Sequence, residues 1–250
     1  GTLLTGLRHA LETAWKHEFP EHPDLGSDEV TDRRLGEALA LVTSTVEAGG
    51  RRQGLAAVEQ RLAQDIIVPL GLGARNENVL VVDAANFRWG ANLARWEGEL
   101  GTAITVGGLR AKLAPWGLTR GMQDAILITW ALLGNYEFTG AGTPAIGTLP
   151  DGSTPRKANL PSEADWSLAA ERAGSVFGVA REVNLTPRAV SRFAGVIRTQ
   201  LAGSQIGALV GQLEAHADML GIDKTGATGR LATSRRVVEL VKSLSSASGD

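Results

Sequence analysis

The sequence predicts a mainly α fold, a multi-helix chain with one small winged-helix-like unit that carries a β-hairpin. Three observations lead there. Apolar residues recur at helical spacing over most of the 250 residues, as at Leu3, Leu7, Leu11 and Trp15. Helix ends are marked chemically, by Thr119, Ser162 and Thr186 as N-caps and by Gly134-Asn135 as a stop. Finally, a Gly-rich stretch, "GAGTPAIG" at 140–147, separates two short β-like runs just after a strongly apolar helix.

Taken in order, the first helix covers 2–17 and is broken by Pro20 and Pro23 in "FPEHPDLGSDEV". Ser27 or Asp28 caps a second helix, 28–47, which stops at Gly49-Gly50. A third spans 51–66, ahead of Pro69, and 69–78 is a loop. "VLVVDAANFRWGANLARWEGEL" opens like a strand, yet the spacing of Val82, Phe87, Leu93 and Trp96 with little turn chemistry reads as helix.

A short helix at 105–113, the turn "PWG" and a helix at 119–133 follow. "YEFTG" and "AIGTLP" are the expected strands of the hairpin. Beyond a linker at 150–161, "SEADWSLAAERAGSVFG" is a capped helix. "TPRAVSRFAGVIRTQL" is another, with Pro187 at its first position and Val190, Phe193, Ile197 and Leu201 on its inner face. Helical pattern continues to 220 with a break near Gly203-Ser204, then resumes over 228–244 before a frayed "SSASGD". The expected organisation is a helical region at 1–102, the winged-helix-like unit at 103–157 and a second helical region at 158–250.

Composition narrows the function. The net charge is -2, so attraction to nucleic acid has to come from a local patch. There is no cysteine, which excludes thiol chemistry and fits a reducing cytoplasm. No apolar run is long enough to span a bilayer, so no membrane partner is expected. The opening "GTLLTGLRHAL" lacks a methionine and is already in helical rhythm, as expected for a piece of a longer polypeptide. Arginine supplies 20 of the 25 basic residues, which reads as codon bias and solvated faces.

Catalysis finds no support. The Gly-rich stretch has no Lys-Ser/Thr at its end and opens into no helix, so it is a hairpin tip and not a phosphate cradle. The four histidines lie apart without metal-ligand spacing, and no Gly-x-Ser-x-Gly elbow occurs. No cofactor and no metal are therefore expected, and the chain reads as a non-enzyme.

Nucleic-acid contact rests on the second helix of the winged unit and its surroundings. That helix offers Arg120, Gln123, Asp124 and Thr129, a thin set for base edges. "QD" at 123–124 reads equally as a buried hydrogen-bonding pair that fixes helix packing. From 84 to 120, Arg88, Arg95, Arg110, Lys112 and Arg120 stand against Glu97 and Glu99, a local excess of +3. Arg110, Lys112, Arg120, Arg156 and Lys157 are the candidate DNA phosphate contacts. The alternative is a protein-interaction scaffold with no nucleic-acid contact. The six tryptophans, Trp130 in "AILITWALL" above all, read as core.

Several stretches carry a family likeness. "FPEHPDL", "PLGLG", "LRAKLAPWGLTRGMQDAILITWALL", "LPSEADWSLAAERAGSVFG" and "NLTPRAVSRFAGVI" resemble the C-terminal region of the PglY/BrxC-like ATPases of phage growth limitation and BREX systems. The resemblance implies a non-catalytic C-terminal module of a bacteriophage-resistance protein, with DNA or other defence-system proteins as partners. No nucleotide-binding residue carries over, because no matching motif stands in these residues.

Overall fold

The computed structural model describes residues 3–25, 29–140, 143–179, 184–203, 206–221, 229 and 232–239. It is mainly helical with two small antiparallel sheets. The chain divides into two compact units, Gly1–Ala158 and Asn159–Asp250.

The first unit opens with α1 (Leu3–Glu18), whose leucine stripe is exposed along its whole length. The segment after it turns back on the chain. The Phe19 ring lies against Gly117, and His22 Nδ1 donates to the Trp116 carbonyl at 2.8 Å. Gly117 has φ +64, so a side chain there would be strained as well as crowded by the ring.

Helix α2 (Asp32–Glu47) starts at Thr31, whose hydroxyl accepts from the Arg34 amide, and ends before Ala48. Ser27 and Asp28, the caps expected from sequence, lie outside the described residues. The region expected as one helix from 51 to 66 instead begins as β1 (Arg51–Gln53), and α3 (Ala57–Leu62) follows and runs on as a π turn through Ile67. The expected loop contains β2 (Ala74–Asn76).

The stretch read as helix from 79 is corrected most. It opens as β3 (Val79–Val81), turns, and becomes α4 (Gly90–Leu100) only from residue 90. β3 is the central strand, antiparallel to β1 (Arg52 opposite Leu80) and to β2 (Arg75 opposite Leu80). The β-branched "VLVV" run takes the ladder, and the aromatic residues after it serve the turn. Trp89 donates its indole N–H to the Leu70 carbonyl at 2.7 Å, and Asn86 is held by the Asp83 carboxylate.

Helix α5 (Val106–Leu113), a 3-10 turn through Trp116 and α6 (Arg120–Gly134) come next. Thr119 caps α6 by accepting from the Met122 amide, and Asn135 closes it in the left-handed conformation at φ 53. Strand β4 (Tyr136–Phe138) follows as expected. Its partner is β5 (Pro155–Lys157), not "AIGTLP", which turns and runs as loop. The cause is Leu149, which is fully buried: the chain gives up ladder pairing at 145–150 to put this side chain into the core.

One apolar core serves this unit, running from Leu35 on α2 through Ile66, Leu80, Leu93 and Leu109 to Ile126, Trp130 and Leu149. Trp116 makes edge contacts to both Trp89 and Trp96, at 5.5 and 5.6 Å between ring centroids.

In the second unit, α7 (Glu163–Phe177) begins at Ser162, whose hydroxyl accepts from the Asp165 amide. Helix α8 (Pro187–Gly203) begins at Thr186, whose hydroxyl accepts from the Ala189 amide. Phe193 is buried against Trp166, with Val190 and Ile197 packed on the pair. Helix α9 (Ile206–Met219) and helical turns at 232–239 complete it. The Leu201 side chain and the "SSASGD" tail lie outside the described residues.

Candidate nucleic-acid interface

The five basic residues singled out from sequence lie on α5, α6 and β5. Arg110 sits on the last turn of α5 and is buried. Its Nη2 donates to the Asp124 carboxylate on α6 and, at 2.8 Å, to the Leu149 carbonyl. Its Nη1 donates to the Asp151 carboxylate. Asp124 has no exposed surface, and its second oxygen accepts from the Gly147 amide at 2.8 Å. One ion pair between two helices thus seizes the hairpin connection at residues 147, 149 and 151.

The connection is tied at its far end too. The Val106 and Gly107 amides donate to the Ser153 and Asp151 carbonyls at 2.8 and 2.9 Å. These bonds satisfy amides at the start of α5 that have no partner within the helix. The chain from 145 to 153 is therefore a strap across α5 and α6 rather than an unattached tip.

Arg120 joins the same cluster. Its Nη2 reaches the Leu149 carbonyl at 3.4 Å and Asp151 at 3.5 Å, with about half of the side chain exposed. Lys112 does not join it; its ammonium pairs with Glu99 on α4 at 2.7 Å, which Arg95 also approaches at 3.7 Å. The Lys112 hydrogen bond holds the Glu99 carboxyl below its ordinary range, with the Lys112 and Arg95 charges adding to it.

On β5, Arg156 stands across the ladder from Glu137, both exposed. Lys157 donates to the Gly134 carbonyl at 2.8 Å and sits 4.3 Å from the centre of the Tyr136 ring. Tyr136 stacks on Trp130 and donates its hydroxyl hydrogen to Glu97, at 2.7 and 2.8 Å from the two carboxylate oxygens. Burial pushes the tyrosine pKa well up, and the neighbouring Glu97 carboxylate, as bond acceptor and as charge, pushes it further.

These partners account for the local basic excess. Arg88 pairs with Glu21 at 3.3 Å, and Arg110 and Arg120 turn to Asp124 and Asp151. All three of these acids lie outside the 84–120 stretch in sequence and are brought to it by the fold. Of the α6 residues considered for base edges, Asp124 and Thr129 are buried, the latter bonded to the Ala125 carbonyl at 2.7 Å. Gln123 bonds back to the Leu118 carbonyl at 3.0 Å.

Sequence reasoning missed the strap residues Gly147, Leu149 and Asp151. The signal was present, a lone leucine in "IGTLPDG" opposite an isolated buried-type Arg and Asp on two apolar helices. Among the described residues, no group of three or more His, Cys, Asp or Glu could hold a metal ion, and no helix is long and apolar enough to cross a membrane.

Two family models match the chain. The fifth domain of the BREX-system ATPase PglY matches residues 33–131, and the sixth domain of the same protein matches residues 170–250. No solved structure matches. The first match takes in the core helices from α2 to most of α6, and the second begins within α7 and covers α8 and α9. The chain therefore belongs to the PglY family of BREX phage-defence proteins and represents its fifth- and sixth-domain region.

Proposed function

We propose that this region is an assembly module of the phage-defence complex, a non-catalytic part that docks another defence protein through α1. The observation that carries this reading is the stripe on that helix. Leu3, Leu7, Leu11 and Trp15 are 93%, 55%, 61% and 46% exposed, with Leu4 beside them at 61%. Soluble surfaces scatter single apolar residues but seldom line five along one helix. Anchors at i, i+4 and i+8 are what a helix offers to an apolar groove of a partner. The reading calls for no metal or cofactor and belongs in the cytoplasm.

The test is binding of the 250-residue chain to each purified component of its own BREX system. One component is expected to bind, and L7E/L11E is expected to weaken that binding at least tenfold with the helical content intact. Binding by none of them, or equal binding by the double variant, would sink the reading.

Phosphate contact through the helix-turn-helix-hairpin unit, winged-helix-like in its order of elements, is the second reading. Exposed Arg156 on β5 favours it, with half-exposed Arg120 on α6; Arg110, Lys112 and Lys157 would contribute only after giving up internal partners. In that case R156E/K157E weakens duplex binding and flattens its salt dependence.

A further inference from the structure

We propose that Phe19 and His22 are positioning residues that clamp α1 at one angle to the first unit, so that its leucine face is presented ready to dock. The inference rests on the docking role of α1 and adds what orients that helix.

Helix α1 has no buried residue, so burial of its own face does not seat it. It is held at its C-terminal end. The Phe19 amide donates to the Trp15 carbonyl at 2.8 Å, Pro20 stops the helix, and the His22 amide donates back to the Phe19 carbonyl at 3.1 Å. This tight turn lays the Phe19 ring on Gly117, where an added Cβ would stand 2.7 Å from the ring. It also brings His22 Nδ1 to 2.8 Å from the Trp116 carbonyl. Two residues of one turn thus meet two consecutive residues of another. A two-point fastening resists rotation where a single contact acts as a pivot. Just beyond it, Pro23 is buried.

The anchor is itself fixed, because Trp116 lies edge-on to the buried Trp89 and Trp96. Trp15 links the stripe to the clamp: its ring is 4.6 Å from that of Phe19 and edge-on to His22 at 5.6 Å.

The angle matters because of the length of the helix. Sixteen residues make a rod of about 24 Å, so a slack of roughly 10° at the clamp swings Leu3 through about 4 Å. Packed helices lie about 8 to 10 Å apart, so a swing of that size unseats leucines from a groove. A helix already held at the binding angle also avoids the ordering cost that a loose one carries.

The test is the distance between spin labels on H9C, which lies opposite the stripe, and A94C on α4, in a chain that has no cysteine of its own. Pulsed EPR should give one narrow distribution in the 250-residue chain altered only at the label sites. It should give a broad one in F19A/H22A and a narrow one again in F19Y/H22Q, which keeps a ring and a donor. Gly-Gly-Ser inserted between Glu18 and Phe19 leaves both clamp residues on their partners and should broaden the distribution equally, so the outcome does not depend on how well F19A/H22A folds. Both chains with a broad distribution should bind the BREX component recognised by the unaltered chain on the order of tenfold more weakly, and F19Y/H22Q should bind it unchanged. A broad distribution without any clamp variant, or a narrow one in the insertion variant, would overturn the proposal. So would full affinity in an insertion variant whose distribution has broadened. The distances are read without a partner and decide the clamp by themselves, whereas binding by no component would overturn the docking of α1.

Discussion

Arg110 of α5 and Asp124 of α6 form an ion pair sealed beneath the strap from residue 145 to 153. Removing Arg110 strands the Asp124 carboxylate in the core, and removing Asp124 leaves the buried guanidinium with Asp151 as its remaining counter-charge. Asp124→Ala is expected to cost about 3 to 5 kcal/mol, the usual range for breaking a buried pair. Arg110→Met should cost a comparable amount, while R110M/D124L should be less destabilised than the two single losses combined, because no charge remains unpaired. Urea unfolding of the four proteins checks this. Additive losses in the double variant would mean that the pair is not coupled.

That pair also shows how much was legible in the sequence. The capped helices at Thr119, Ser162 and Thr186 were readable because a cap is a local event, one side-chain oxygen meeting an amide two or three residues on. The Arg110–Asp124–Leu149 cluster joins positions up to 39 residues apart, and periodicity carries no information about such meetings. For the same reason the basic excess at 84–120 looked unopposed, since Glu21, Asp124 and Asp151 enter only through folding. The three-stranded sheet was hidden differently. Its strands have three residues each, too few for alternation to show, and the apolar residues after Val81 mimic a helical period. The stripe of α1 was legible as a stripe, but its exposure was not, because amphipathicity says that a face is apolar without saying what covers it.

Glycines provide a paired test of packing. On α6, a Cβ at Gly121 would run into the Asp32 carboxylate and come within 2.9 Å of Leu35, where α2 crosses. On α4, a Cβ at Gly98 would meet nothing. Gly121→Ala should therefore destabilise by about 1 to 3 kcal/mol through overpacking. Gly98→Ala should stabilise by about 0.5 to 1 kcal/mol through helix propensity. Denaturant midpoints measured side by side read both signs at once, and a neutral Gly121→Ala would contradict the close approach of α2 and α6.

Tyr136 is the chain's single tyrosine, so its ionisation can be followed by phenolate absorbance without assignment. Burial, and then the bond to Glu97, hold its pKa above the ordinary value of 10.0. The native state thus keeps the phenolic proton where the unfolded state releases it. The resulting stabilisation is whole below pH 10 and is lost as the pH climbs toward the raised folded value. Phenolate absorbance should stay low at pH 11 in the native protein and appear at once on adding denaturant. Glu97→Gln should lower the native midpoint only part of the way, because burial is the larger cause. A native titration near 10 would show that the Tyr136 hydroxyl is open to water.

The two units should also unfold separately. The described core of the first is a single cluster reaching from Leu35 to Leu149, whereas that of the second is Trp166, Ala173, Ala189 and Phe193 with a few half-buried neighbours. Stability follows the apolar area withdrawn from water, at about 25 cal/mol per Å2, so the smaller cluster should give way first. Two transitions are expected on heating. Phe193→Ala removes the ring that Trp166 packs against, and at about 3 to 5 kcal/mol it should abolish the lower transition while leaving the upper one in place. A chain ending at residue 158 should retain the upper transition alone. A single transition that moves as a whole in Phe193→Ala would mean that the two units fold as one cooperative body, and the division after Ala158 would then be geometric without being energetic.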